Sequence, residues 1–143
     1  MGKPTTLATA VTSALNAATF SPDISFTRTL LPIVATQGTT LEGRVFLQGR
    51  SLSKLNRCSD YEEIVEIGVY IVNTISNSNG IPSDSGIATM FDLCESIIDH
   101  MKTAGKLDDY HLIEIDNMEM FDYSRVYEES IFETTITLRY KGF

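Results

Sequence analysis

From Phe132 to Tyr140 the chain alternates without interruption: FETTITLRY. Successive side chains of a strand leave opposite faces. Phe132, Thr134, Ile136, Leu138 and Tyr140 therefore share one face, and Glu133, Thr135, Thr137 and Arg139 the other. Such a segment cannot stand alone. Its backbone donors and acceptors need neighbouring strands, inside the subunit or in another copy, and its apolar face needs a cover. A second run, DYEEIVEIGVYIVN over 60–73, has Val65, Ile67, Val69 and Ile71 alternating with Glu66, Gly68, Tyr70 and Val72. Toward its end both faces become apolar, which predicts a central strand.

The remaining elements follow from period and punctuation. Leu7, Val11, Ala14, Leu15 and Ala18 fall at helical spacing, predicting a helix over Thr5–Thr19 that is capped by Thr5 or Thr6 and stopped by Ser21-Pro22-Asp23. A strand is expected over 24–34, with Pro32 confining its end to an edge or bulge. Gly38, Gly43 and Gly49 break up the following stretch around a strand at Gly43–Gln48. NSNGIPSDSG is a loop by composition. Ser83 or Asp84 then caps a helix over Ser85–Ala104, and Gly105 ends it. Its stripe of Ile87, Met90, Phe91, Cys94, Ile98 and Met101 is read as core packing rather than a ligand groove. Strands at Tyr110–Asp116 and Ser130–Lys141 complete the chain. The expectation is an α+β fold: a single mixed or antiparallel β-sheet packed by two helices, in the order α-β-β-β-α-β-β. One domain covers 1–143, with a long loop or arm at about 36–59.

Hydrophobic residues make up 43% and charged residues 21% of the 143, enough apolar surface for a real core and too little charge for a disordered chain. No apolar run reaches the roughly 18 residues of a membrane helix. The opening MGKPTTLATAVTSALNAATF is too rich in threonine, alanine and asparagine for a secretory signal. Gly2 and Thr6 match the myristoylation pattern in form only, with Pro4 inside it. A soluble, untargeted chain without membrane partners is expected. Two cysteines, Cys58 and Cys94, cannot build a disulfide framework or a four-cysteine zinc site. Cys94 falls on an apolar helix side. A Cys58–Cys94 bridge stays open beside the favoured reduced pair.

The net charge of −8 is unevenly spread. Residues 1–60 hold six bases (Lys3, Arg28, Arg44, Arg50, Lys54, Arg57) against three acids, and residues 61–143 hold five bases against sixteen acids. An ordinary solvated surface would account for this. So would a molecule with one basic and one acidic face, suited to head-to-tail assembly. The acidity argues against nucleic acid as a tightly held ligand.

Motifs of catalysis are missing from the sequence. His100 and His111 are expected at the surface, and neither a G-x-S-x-G elbow nor a phosphate-cradling glycine loop occurs. An EF-hand starting at Asp116 would put Met118 and Met120 at ligand positions, so it fails. Asp116, Glu119 and Asp122 could still meet a divalent cation, but are expected to form a solvated acidic connection. Glu62 and Glu63 leave opposite faces of a strand and make no acid/base dyad, and Asp108 with Asp109 is no better placed. No catalytic residue, metal site or cofactor is assigned.

The ordered pattern of an amphipathic opening helix, a strand ending at Leu31-Pro32, LEGRVFLQGRSLSKLNRCS, YEEIVEIGVYIV, GIATMFDLCESIIDHM, HLIEI and IFETTITLRY resembles the tail terminator proteins of tailed bacteriophages. More broadly it resembles the small neck and tail-completion proteins related to them. The resemblance covers nearly the whole chain and rests on no single motif. It implies a non-enzymatic virion protein, assembled in the bacterial host cytoplasm and located in the tail or neck. Copies would form a homo-oligomer, typically a hexameric ring, that caps the tail tube and stops its polymerisation. Expected partners are the tail tube protein, head-side connector or neck proteins, and the tail sheath if the tail is contractile. Genomic DNA would only pass through the channel. Arg44, Arg50, Lys54 and Arg57 are the candidate interface bases, expected to meet Glu128, Glu129 and Glu133 of another copy. The alternatives are a head-closure or tail-completion neck protein, or a small-ligand-binding α+β module.

Overall fold

The computed structural model describes residues 3–30, 40–54, 61–78, 80–117 and 123–142. The elements run α1 (Pro4–Ala17), β1 (Phe26–Arg28), β2 (Glu42–Lys54), β3 (Tyr61–Thr74), β4 (Asn77–Ser78), β5 (Ile81–Pro82), α2 (Asp84–Ala104), β6 (Lys106–Leu107), β7 (Tyr110–Asp116), α3 (Tyr123–Glu129) and β8 (Ile131–Gly142). The α+β class and the mostly antiparallel sheet are as expected, but the order α-β-β-β-α-β-β and the packing by two helices are corrected: further elements interrupt that order and the described residues form three helices. Four short elements are added: the β4–β5 ribbon, the edge strand β6 and the helix α3. The six-stranded sheet has the order β1-β2-β3-β8-β7-β6. Every pairing in it is antiparallel except β1 with β2.

The two long strands named from the sequence, β3 and β8, lie side by side at the centre. Val69 faces Ile136, and Ile67 faces Leu138. These four side chains are fully buried together with Leu7, Val11 and Leu15 of α1 and Met90, Leu93, Ile97 and Met101 of α2. The helix stripe differs from expectation. Leu93 and Ile97 are in the core, whereas Ile87, Phe91 and Ile98 pack against it only partly buried.

Helix ends show which local signals prevailed. Ser83 caps α2, accepting from the Gly86 N–H at 3.2 Å, and Gly105 closes it with φ 57°, a conformation that glycine takes without a Cβ clash. α1 starts earlier than expected. Pro4 occupies its first turn, where a missing N–H leaves no bond unmade, and Lys3 takes the cap position with no side-chain bond. The Thr5 or Thr6 cap is thus corrected.

Two polar side chains fasten α1. Asn16 donates from Nδ2 to the Phe26 carbonyl and accepts from the Phe26 N–H, both at 2.9 Å, so one amide serves the edge strand β1 as a further backbone would. His100, expected to be a plain surface residue, is half-buried, with Nε2 donating to the Ala14 carbonyl at 3.0 Å and the Phe20 ring edge-on to the imidazole.

On the opposite face of the sheet α3 lies against β8 and β5. Near it Phe46, Tyr70, Val72 and Ile131 form a second, smaller buried cluster. The apolar second face of β3, visible in the sequence, belongs to this cluster. Tyr123–Glu129 is helical, an element that the sequence reading did not include. Pro32 and the later part of the expected 24–34 strand lie outside the described residues. No helix among the described residues is long and apolar enough to cross a membrane.

Candidate subunit interface

Three of the candidate bases, Arg44, Arg50 and Lys54, sit on a strand. β2 takes up 42–54 of the expected 36–59 loop, while 36–39 and 55–59, including Arg57 and Cys58, lie outside the described residues. β1 pairs with β2 only at Gly43–Val45, and the Thr29 N–H adds one bond to the Val45 carbonyl. From Leu47 to Lys54 the outer edge of β2 has no paired strand among the described residues. Leu47 and Leu52 are exposed along it.

A bulge decides where Arg50 points. Leu47 faces Ile67 but Gly49 faces Glu66, so one extra residue is inserted and the two faces of β2 exchange beyond it. Arg50 lands opposite Val65 on the helix-covered side, with its Nη2 3.1 Å from Glu63 Oε2. The Glu63 side chain is completely buried. Its other oxygen accepts from the Tyr110 hydroxyl at 2.5 Å. Tyr110 and Glu63 are not on adjacent strands. Gly142 lies between them, paired with both. A Cβ there would come within 2.7 Å of Tyr110 Cε1, so only glycine lets the ring cross. Burial, aided by the bond to Glu63, pushes the Tyr110 hydroxyl pKa above its ordinary value. The hydroxyl keeps its proton and the carboxylate is held by two donors, an arrangement suited to fixing the sheet end.

The other face carries a second set of pairs. Arg139 forks between Glu66, at 3.3 Å, and Glu114 on the flanking strands, and the bond to Glu114 leads in raising its pKa. Lys141 pairs with Glu62 at 3.1 Å, and Thr137 donates to Gln48 at 2.9 Å. Arg125 of α3 reaches Glu133 at 2.6 Å and Glu129 at 2.8 Å, while the Tyr70 hydroxyl also donates to Glu133. Those bonds, Glu133 foremost, raise the Arg125 pKa. Arg44 pairs with Glu42 at 3.3 Å.

Most of the candidate interface residues are therefore engaged at home. Arg44, Arg50, Glu129 and Glu133 all have ionic partners within the subunit, which the sequence had assigned to another copy. Reversing the charge of Arg50 would take from buried Glu63 the cation it is paired with. Lys54 and Glu128 remain, exposed and with no ion pair among the described residues.

Other titratable groups are dispersed. Among the described residues no group of three or more His, Cys, Asp or Glu side chains could hold a metal. Asp116 ends β7, and Glu119 and Asp122 lie outside the described residues. Asp108 and Asp109 are exposed in the turn joining β6 to β7, and His111 is exposed. Cys94 is buried as a free thiol, with burial pushing its pKa up to about 12. The Glu63–Tyr110 contact was missed in the sequence. Its one visible trace is a tyrosine and a glycine at the ends of the two strands that bracket the sheet end. Comparison with protein-family models and with curated proteins finds no match to this chain.

Proposed function

We propose that this chain is a structural virion protein of a tailed phage, a tail terminator. Copies of it form a ring that caps the tail tube, halts its growth and offers the head an attachment surface. The reading rests on the ordered sequence pattern from the opening helix to IFETTITLRY. The observation in the fold that carries it furthest is the long edge of β2, eight residues from Leu47 to Lys54 without a paired strand among the described residues. Open edges of this kind invite a second chain unless they are managed, and a ring gives them a use. Tube growth repeats one heterologous contact. A terminator must match the tube below and present a different surface above, and the segregated charge of this chain suits such a two-faced part.

The proposal excludes catalysis, cofactors and membranes from the role. Its partners are further copies, the tube protein and the head-side neck proteins, with the sheath added in a contractile tail, and DNA only transits the ring. The test is tube polymerisation in the presence of the purified chain. Short tubes with one end capped support a terminator. Binding to the portal side with tube length unchanged would assign the chain to head closure instead.

A further inference from the structure

Resting on the ring reading, we propose that Leu52 and Lys54 at one end of the sheet dock, head to tail, on Tyr127, Glu128 and Ile81 of a second copy. Among the described residues, Lys54 and Glu128 are the candidate charges without an ion pair inside the subunit, and they are of opposite sign. Each has an exposed large apolar side chain beside it. Leu52, 50% exposed, precedes Lys54 by two residues and so shares its face of β2. Tyr127, 60% exposed, adjoins Glu128 on α3, and α3 packs against β5, which carries Ile81 at 67% exposure. A cation with a leucine on one side and an anion with a tyrosine and an isoleucine on the other are complementary in both charge and polarity.

The two patches cannot meet within a subunit. Lys54 is paired with Tyr61, the first residue of β3, whereas β8 begins at Ile131 opposite Thr74, the last residue of β3, just after α3 ends at Glu129. Fourteen strand residues separate them, a span of about 40 Å. A contact between different patches of identical chains is heterologous, and it closes into a ring when the rotation permits. Leu52 and Lys54 also lie on the stretch of β2 that has no paired strand among the described residues, so docking would cover part of that edge.

The test uses the full chain and reads self-association by sedimentation over a concentration series, with tube capping assayed separately. Lys54→Glu and Glu128→Lys should each weaken association at least about fivefold, because an exposed attraction becomes a repulsion. The double variant, which exchanges the charges, should return to near the starting affinity. Leu52→Asp and Tyr127→Ser should each weaken it about tenfold or more. All four positions are exposed, so far-UV circular dichroism should be unchanged. Association unaffected by either single reversal, or no recovery in the double variant, overturns this contact while leaving the ring reading standing. Assembly that follows the predicted pattern without any capping of tubes supports the contact and overturns the terminator reading. A chain that stays monomeric at high concentration overturns both.

Discussion

The ring of Phe46 lies over Gly68, its direct cross-strand partner, so closely that a Cβ on residue 68 would sit 2.4 Å from Phe46 Cζ. The same relation recurs twice in the sheet, with Phe26 over its partner Gly43 and Tyr110 over its partner Gly142. A ring laid across a glycine covers backbone that would otherwise lack a packed side chain. Phe46 is nearly buried, within the cluster of Tyr70, Val72 and Ile131, so it has little room to yield. Gly68→Ala should destabilise the fold by about 1–3 kcal/mol. Urea unfolding would show this as a lower midpoint at unchanged slope. Combined with Phe46→Leu, the loss should be smaller than the sum of the two single losses.

Glu63 gives a graded series. Glu63→Ala removes a buried acceptor and leaves the Tyr110 hydroxyl unmatched, at a cost of about 2–4 kcal/mol. Tyr110→Phe keeps the carboxylate but takes one of its two donors, costing about 1–3 kcal/mol. Arg50→Ala should cost least, since the arginine side chain is about half exposed and its attraction is screened. Equilibrium unfolding should rank the three in that order.

The strong periodicities were legible, and so were the elements they specify. β3, β7, β8 and α2 were all placed within a residue or two because unbroken alternation or a helical stripe leaves few ways to bury the apolar side chains. Capping by Ser83 and the stop at Gly105 were visible for the same local reason. What stayed hidden depends on register. The bulge after Leu47 turns Arg50 toward Glu63, and its one local mark, Gly49, reads equally as a break in the strand. α3 is short, and the packing of Val126 and the Arg125–Glu133 bond hold it in place more than its own propensity does. Of the proposed interface charges, the sequence supplied the residues but could not tell which were already paired within the subunit.

Alkaline pH should unfold this protein through groups whose folded pKa is raised. Cys94 rises from an ordinary 9.0 to about 12, and burial also raises Tyr110 and Tyr140 above their ordinary 10.0. Above pH 9 the unfolded chain releases the thiol proton while the folded chain keeps it. The stabilisation is therefore complete below pH 9 and is lost as pH climbs toward 12, at about 1.4 kcal/mol per pH unit for each such group. Cys94→Ala should lower stability at pH 7 through the cavity it leaves, yet flatten the decline between pH 9 and 10. Urea midpoints measured across pH 7–10.5 would reveal both effects.

Asn16 serves an edge strand that has few other supports. Asn16→Leu should release the Phe26 N–H and carbonyl, costing about 1–2 kcal/mol. Amide exchange at Phe26 should accelerate well beyond that at Val69 in the central strand, marking a local opening rather than global unfolding.

The central claim is that copies of this subunit surround a hole and cap a tube. Electron micrographs of the purified chain mixed with tail tubes test it most directly. The account predicts closed rings in solution and a ring seated on one end of each shortened tube. Tubes of unaltered length with bare ends, beside a chain that never exceeds the mass of a single copy, would contradict it.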